Sequence, residues 1–409
     1  MMVKKSFKFR LNLTAEQEQM CCMFAGCCRF VWNKSLALKK ELWEKEKKSL
    51  SQFELNNLLI QWKSELPWLT DAPSQALQQV NKDLDQAYKN FFRRCKNGEN
   101  PGHPKFKKKG IHDSFRLPQG ITLLDPLNHK TGVVQLPKLG TTRFILSQPI
   151  QGTIKHVTVS RTAGSWYIAF NCDNVPVVLE KAPESSIGID RGIVVFGKCS
   201  DDTDVISPQP LKKRLKKLAK VQRSLSRKKK FSNNWNKQKK KLARFHNHIA
   251  NIRKDTLHKA STTLAKNHST IVLEDLQIAN MSKSAKGNKE NPGKNVKAKA
   301  GLNRAILDQG WHMFSVLLDY KIKWHGGKLI LVNPKYTSQR CSSCGFVSSE
   351  NRKTQDVFEC LCCGHRENAD LNAAKNILAA GLAVSACGEA PVGAPVKQEP
   401  EEQKTAQVV

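Results

Sequence analysis

Two cysteine pairs near the C-terminal end restrict the fold more than any other feature. Cys341-Ser-Ser-Cys344 and Cys360-Leu-Cys-Cys363 are C-x-x-C pairs separated by fifteen residues. Each such turn offers two thiolates from one knuckle, and four thiolates at about 2.3 Å close a tetrahedral zinc site. Gly345 and Gly364, one after each pair, supply the backbone freedom a knuckle needs. The spacing predicts a structural Zn2+ held by Cys341, Cys344, Cys360 and Cys363. Cys362 and His365 both compete for the fourth position, which spacing gives to Cys363, leaving Cys362 as a packed neighbour. The 13 cysteines are odd in number and unevenly spread. That is unlike an extracellular disulfide framework and points to a reducing compartment.

A single core rarely grows to 409 residues, so two or three domains are expected. The 68 Lys and Arg against 35 Asp and Glu leave a formal charge of +33, which calls for a polyanionic partner rather than a small metabolite. Residues 211–260 carry 19 Lys and Arg and a single acid, Asp255. Like charges at helical spacing repel, and nucleic-acid phosphates would relieve them; a merely solvated face is the plainer reading. A second patch, Pro104-Lys-Phe-Lys-Lys-Lys109, follows Arg93-Arg94. Its Phe106 either stacks on a base or anchors the loop in the core, and anchoring is the expectation. No segment approaches the roughly 18 apolar residues of a membrane helix, and no apolar signal core follows the N-terminal lysines. A soluble cytoplasmic protein with no membrane partner is expected.

Capping-box spacings at Thr14–Gln17 and Ser51–Glu54 open two amphipathic helices, and Pro73 lies in the first turn of a third, making residues 14 to about 97 a three-helix unit. From about 113 to 180 the apolar period becomes two, most clearly in Trp166-Tyr-Ile-Ala-Phe170, which suggests a small antiparallel barrel or sheet. From 187 the pattern is mixed α/β: a strand and hairpin over Ile187–Cys199 and Val205–Ile206, a long basic helical stretch from 211, a strand at Thr270–Leu276, one helix over Leu302–Trp324 and a strand at Lys328–Val332. Met281–Ala300 and the tail from about 388 read as unstructured.

Three carboxylates stand out. Asp190 lies mid-strand in Ser-Ile-Gly-Ile-Asp-Arg-Gly, Glu274 ends the apolar run Thr-Ile-Val-Leu-Glu, and Asp370 opens a C-terminal helix. Each has an ordinary explanation: a turn, a strand end, a helix N-cap. Together, two strand carboxylates and one from a helix start can converge on hard cations such as Mg2+ or Mn2+, a pair of which activates water and stabilises the leaving oxygen in phosphodiester cleavage. Asp275 is the alternative to Glu274, but strand alternation points the two to opposite faces.

Phe9-Arg-Leu11, Arg29-Phe-Val-Trp-Asn-Lys34, Pro104–Lys109 with Ser114-Phe-Arg116, Gly188-Ile-Asp-Arg-Gly192, Val272-Leu-Glu-Asp-Leu276, Tyr336-Thr-Ser-Gln339 and Asn372-Ala-Ala-Lys-Asn-Ile377 are specific as an ordered set. By them the chain, from about residue 5 to 382, resembles the TnpB family, RNA-guided nucleases of bacterial insertion sequences related to type V CRISPR effectors. The resemblance implies a multidomain fold with α/β, all-α and β-barrel parts. Its RNase H-like RuvC nuclease domain would span 183–335 and 368–387, with basic helices at 211–260 and a lid-like linker at 281–300. A zinc ribbon would be inserted at 336–367. A helical recognition lobe at 13–112 would sit within a wedge barrel, oligonucleotide-binding-like, formed by 1–12 and 113–182, and 388–409 would be a disordered tail. It makes Asp190, Glu274 and Asp370 the catalytic, magnesium-binding residues. It implies as partners a guide RNA from the transposon end and a double-stranded DNA target beside a short motif, with base pairing supplying the sequence reading. The expected activity is divalent-metal-dependent hydrolysis of DNA by a nucleoid-associated enzyme. The rivals are a nuclease-inactive RNA-guided repressor and a protein that serves transposition itself.

Overall fold

The computed structural model describes residues 2–111, 113–177, 182–206 and 209–386; the tail expected to be disordered lies outside them. The chain divides into two units, residues 1–178 with 214–250, and residues 179–213 with 251–409.

In the first unit, β1 (Met2–Asn12) alternates faces and buries Phe7, Phe9 and Leu11. Thr14 and Gln17 then form a reciprocal capping box that opens α1 (Ala15–Glu46), and Ser51 and Glu54 do the same for α2 (Gln52–Glu65). A 3-10 turn over Pro67–Asp71 leads to α3 (Ser74–Lys96). Pro73 sits at its N-cap, one position earlier than expected. Six strands follow: β2 (Ser114–Leu117), β3 (Thr122–Asn128), β4 (Thr131–Leu136), β5 (Gly140–Ile145), β6 (Thr153–Thr162) and β7 (Ser165–Pro176). With β1 they form an antiparallel sheet in the order β2-β6-β7-β1-β5-β4-β3, so β2 and β3 stand at its two edges. The period-two runs at Val133–Leu136, Phe144–Leu146, Val157–Val159 and Trp166–Phe170 fall on β4 to β7. The period-two reading missed β3 because all seven of its residues are exposed and show no alternation. Phe9, Phe144 and Phe170 meet at ring distances of 5.1–5.9 Å under the sheet, and Phe24 of α1 meets Phe115 of β2 at 5.5 Å. Helices and sheet thus share one core.

The second unit starts with β8 (Ser186–Asp190), β9 (Gly197–Cys199) and β10 (Asp204–Val205), an antiparallel meander. Asp190 is therefore the last residue of its strand and not mid-strand as expected. The basic stretch forms two helices, α4 (Leu215–Ser226) and α5 (Asn233–Asn267), of which α4 and the part of α5 up to residue 250 group with the first unit. Next come β11 (Thr270–Glu274), a short α6 (Ile278–Met281), α7 (Val296–Gln309), α8 (Trp311–Trp324), β12 (Lys328–Val332), the two-stranded β13 (Val357–Glu359) and β14 (Arg366–Asn368), and α9 (Ala369–Ala386). The helix expected over Leu302–Trp324 is broken at Gly310, whose φ of 77° only glycine adopts cheaply. The expected 281–300 linker is shortened because its last five residues already belong to α7.

The sheet of this unit runs β10-β9-β8-β11-β12, with β8, β11 and β12 parallel. Ile187, Ile189, Ile271 and Leu273 pack on Phe314 and Leu318 of α8, while Val272 packs on the other side with Ile377 of α9. Parallel strands buried on both faces read as continuous apolar runs, which is why β8 and β11 were visible in the sequence. Among the described residues no helix is long and apolar enough to cross a membrane.

Candidate active site and thiol cluster

Register brings the first two carboxylates together. Ser186 is opposite Thr270 and Ile189 opposite Leu273, so one further step sets Asp190 beside Glu274. Residues two apart on a strand share a face. A Cβ on Gly188 would lie 2.4 Å from the Ala374 carbonyl oxygen, and one on Gly381 would lie 2.4 Å from Val272. The backbone of α9 therefore rests directly on the face that carries residues 188, 190, 272 and 274. Asp275, the next residue, is exposed, whereas Glu274 is buried.

Asp370 stands in the first turn of α9, and Asn368 rather than Asp370 caps that helix: its Oδ1 accepts the N–H groups of Asp370 at 3.0 Å and Leu371 at 3.1 Å. Arg352 Nη2 donates to Asp370 Oδ1 at 3.0 Å. Glu274, only 8% exposed, accepts from Thr337 Oγ1 at 2.6 Å. The buried Arg191 reaches round the strand to the Glu274 carbonyl and to Ser315 Oγ. Burial first, then the charges of Glu274 and Asp370, push the Asp190 carboxyl up to about 7. Burial raises Glu274 as well, against the Thr337 hydrogen bond and Arg191. This is a set of oxygen donors whose mutual repulsion a divalent cation would relieve, and in that sense its chemistry fits Mg2+ or Mn2+. The donors are not drawn into a tight cage: among the described residues, the grouping of three or more ligand-type side chains within 4.8 Å is the cysteine cluster.

That cluster is Cys341, Cys344, Cys360 and Cys363. Cys341 and Cys363 sulfurs are 3.7 Å apart and those of Cys344 and Cys360 3.5 Å. Tetrahedral ligands at about 2.3 Å from a zinc ion stand about 3.8 Å apart, so the spacing fits. The two knuckles repeat one pattern: Gly345 N–H donates to the Cys341 carbonyl and Gly364 N–H to that of Cys360, both at 3.0 Å and both with left-handed glycines. Cys362 is outside the group, and His365 Nε2 lies 2.9 Å from Glu367 Oε1, engaged elsewhere. Asn351, fully buried, donates to the Gln339 and Phe346 carbonyls and accepts from Leu361 N–H, tying one knuckle to the other.

The helix α9 also holds the segment leading into the cluster. Asn372 and Asn376, one turn apart, both donate to the Arg340 carbonyl, Asn376 donates to that of Thr337, and Asn372 Oδ1 accepts from Ser342 N–H. One helix thus positions Thr337 on Glu274, the first knuckle, and Asp370. Sequence reasoning missed Thr337, Arg352, Arg191 and Asn351 as site or support residues. Thr337, Arg191 and the two asparagines fell within recognised motifs, whereas Arg352 and Asn351 did not.

In the first unit, the basic 104–109 loop is held by α1. Trp32 Nε1 donates to the Lys105 carbonyl at 3.0 Å, Asn33 pairs with the N–H and carbonyl of Lys107, and Arg29 pairs with Asp113 at 2.9 Å. Phe106 does not anchor the loop, contrary to expectation; it is 49% exposed, with Lys40 Nζ 5.0 Å above its ring.

Three family descriptions match parts of the chain: a probable transposase over residues 170–285, a Cas12f1-like TNB domain over 311–377 and a helix-turn-helix domain over 1–48. The chain is 47% identical over 401 residues to the Escherichia coli (strain K12) protein named "Putative RNA-guided DNA endonuclease InsQ", covering 97% of this chain and 98% of that one. The chain belongs to the TnpB family. A second relative of the family, from Streptomyces pristinaespiralis, is 33% identical over 395 residues, covering 95% of this chain and 92% of its own. Among solved structures, a Cas12f1–sgRNA–target DNA complex aligns with a TM-score of 0.51 at 15% identity, over 92% of this chain and 98% of that one. The mini-RNA-guided endonuclease CRISPR-Cas phi3 aligns with 0.52 at 12% identity, over 92% of each chain. TnpB membership thus comes with the multidomain α/β fold of Cas12 effectors. In this member the 1–48 match falls on one strand and one 32-residue helix.

Proposed function

We propose that this chain is an RNA-guided DNA endonuclease of a bacterial insertion sequence, cutting phosphodiester bonds by divalent-metal-dependent hydrolysis. The observation that carries the reading is that Asp190, Glu274 and the start of α9 share one face of a sheet, with Asp190 pushed up to about 7 by burial and the other two acids. In this reading Asp190, Glu274 and Asp370 hold Mg2+, and the meander β8–β9–β10 followed by parallel β11 and β12 is the RNase H-like RuvC sheet. Bound divalent ions would supply the activation of water and the stabilisation of the leaving oxygen. The chain's own part is to hold the acids: Thr337 orients Glu274, Arg191 fixes the backbone of its strand, and Asn368 frees Asp370 from capping. The four cysteines hold a structural zinc ion in a ribbon, and the sheet of the first unit serves as the wedge barrel around the recognition helices. The partners in this reading are a guide RNA and target DNA, which the names of the relatives and fold neighbours support, with the guide drawn from the transposon end, the target lying beside a short motif and the enzyme working at the nucleoid.

A repressor that binds without cutting needs none of the three acids; here all three remain and repel one another, which costs stability unless used. Purified protein with its guide RNA is expected to linearise a plasmid bearing the matching target in Mg2+ and to leave it intact in EDTA. Target DNA retained but uncut in Mg2+ would establish the repressor instead.

A further inference from the structure

Between α4 and α5 the chain forms a tip that the guided-cleavage chemistry does not use. Arg227-Lys-Lys-Lys230 leads into Phe231, which is 81% exposed and has a backbone φ of 68°, a left-handed conformation that bulky residues rarely adopt. The residues after it pin that conformation. Asn236 Nδ2 donates to the Phe231 carbonyl at 3.2 Å, and Ser232 caps α5 by accepting from Trp235 N–H at 3.2 Å. The Phe231 ring leans on Trp235 at 5.5 Å, tilted by 51°, and Lys239 Nζ lies 5.1 Å over the indole. An aromatic ring held outward in a strained backbone gains almost no burial in return.

Beside the tip, Lys220, Arg223, Ser224, Arg227 and Lys228 line an open groove of about 350 Å³. Lys220, Arg223 and Ser224 lie on one side of α4, and Arg227 and Lys228, just past its end at Ser226, carry the charge on toward Phe231. No Asp or Glu occurs between residues 211 and 254. A cationic groove that tracks a backbone, next to an aromatic that offers a face to any base, is the chemistry of single-strand binding.

We propose that the α4–α5 tip is a site for single-stranded nucleic acid, in which the groove cations take successive phosphates and Phe231, backed by Trp235, stacks on an unpaired base. The inference rests on the nucleic-acid reading above and deepens it by naming an element for the unpaired strand. Its chemistry is shared by RNA and DNA.

The test uses the full chain freed of nucleic acid and 12-nucleotide RNA and DNA strands carrying 2-aminopurine. The wild type is expected to bind the strands and quench the fluorescent base. Phe231→Ala should weaken single-strand binding about tenfold and lose the quench, whereas Phe231→Tyr should keep both. Phe231→Gly accepts the backbone without the ring and should fail as the alanine variant does; wild-type binding by it would overturn the proposal. Blunt duplex binding should be unchanged by Phe231→Ala, and equal weakening of duplex and single strand would also overturn it. A double Arg227→Gln, Lys228→Gln variant should flatten the salt dependence while keeping the quench at saturation. The RNA and DNA arms identify which strand supplies the base. None of these readouts needs guided cleavage, so an enzyme that cuts but shows no ring-dependent binding refutes the tip alone, and the converse result refutes the nuclease reading alone.

Discussion

Asp190 is held where its ionised form is unfavourable, and that has a measurable sign. Its carboxyl titrates near 7 in the fold against 3.8 ordinarily, so between those values the native state binds more protons than the unfolded state. Ionisation therefore removes stability as pH rises through that window, and the full penalty stands above about 7. In metal-stripped protein, Asp190→Asn is expected to raise Tm by roughly 5 °C at pH 8 and by clearly less at pH 5; thermal melts at the two pH values would expose an equal gain as a contradiction. Cys363→Ser should abolish stoichiometric zinc while Cys362→Ser retains it, as metal analysis of the purified variants would show, because the Cys362 sulfur is outside the four-sulfur group. At this scale Asp190 and Glu274 stood out in the sequence because each ends an apolar run, Asp370 because it opens a helix, and the thiols because C-x-x-C spacing is local. Arg352 and Thr337 were not legible, since their partners lie 18 and 63 residues away and meet only once α9 folds back. Phe106 misled because an aromatic among lysines looks like an anchor, whereas Trp32 and Asn33 do the anchoring through the loop's backbone.

Helix α9 is the element on which the site depends, since it covers the sheet face, carries Asp370 and clamps the segment from Thr337 to Ser342. Its approach is set by Gly188. Adding a methyl there drives it to 2.4 Å from the Ala374 carbonyl oxygen and 2.6 Å from Leu378 N, both backbone atoms that cannot rotate away. Gly188→Ala is expected to cost about 1–3 kcal/mol and to shift α9 from the acids. Chemical denaturation would reveal the loss, and a variant with unchanged stability would show that the contact is not as tight as described. The capping boxes of α1 and α2 were readable because capping is a short-range hydrogen-bond pattern. The break between α7 and α8 was not, because the apolar period continues through Gly310 and only its tertiary setting against Arg253 and Leu257 selects the left-handed turn.

For the molecule as a whole, the proposed function ties the charge of +33 to the carboxylate face: a polyanion would be gripped while its phosphodiester is presented to negative groups. Charge and mixed α/β class were evident from composition and pattern. The grouping of 214–250 with the first unit was not, because a helix that passes from one unit to the other leaves no boundary in its sequence. The most direct test of the account compares ribonucleoproteins of the wild type with Asp190→Ala, Glu274→Ala and Asp370→Ala, measuring target-DNA affinity and cleavage rate together in Mg2+. The account predicts unchanged affinity within about threefold and a loss of cleavage of roughly a thousandfold or more for each variant. Cleavage that persists at the wild-type rate in any one of the three would contradict the claim that these acids form a single metal-holding site.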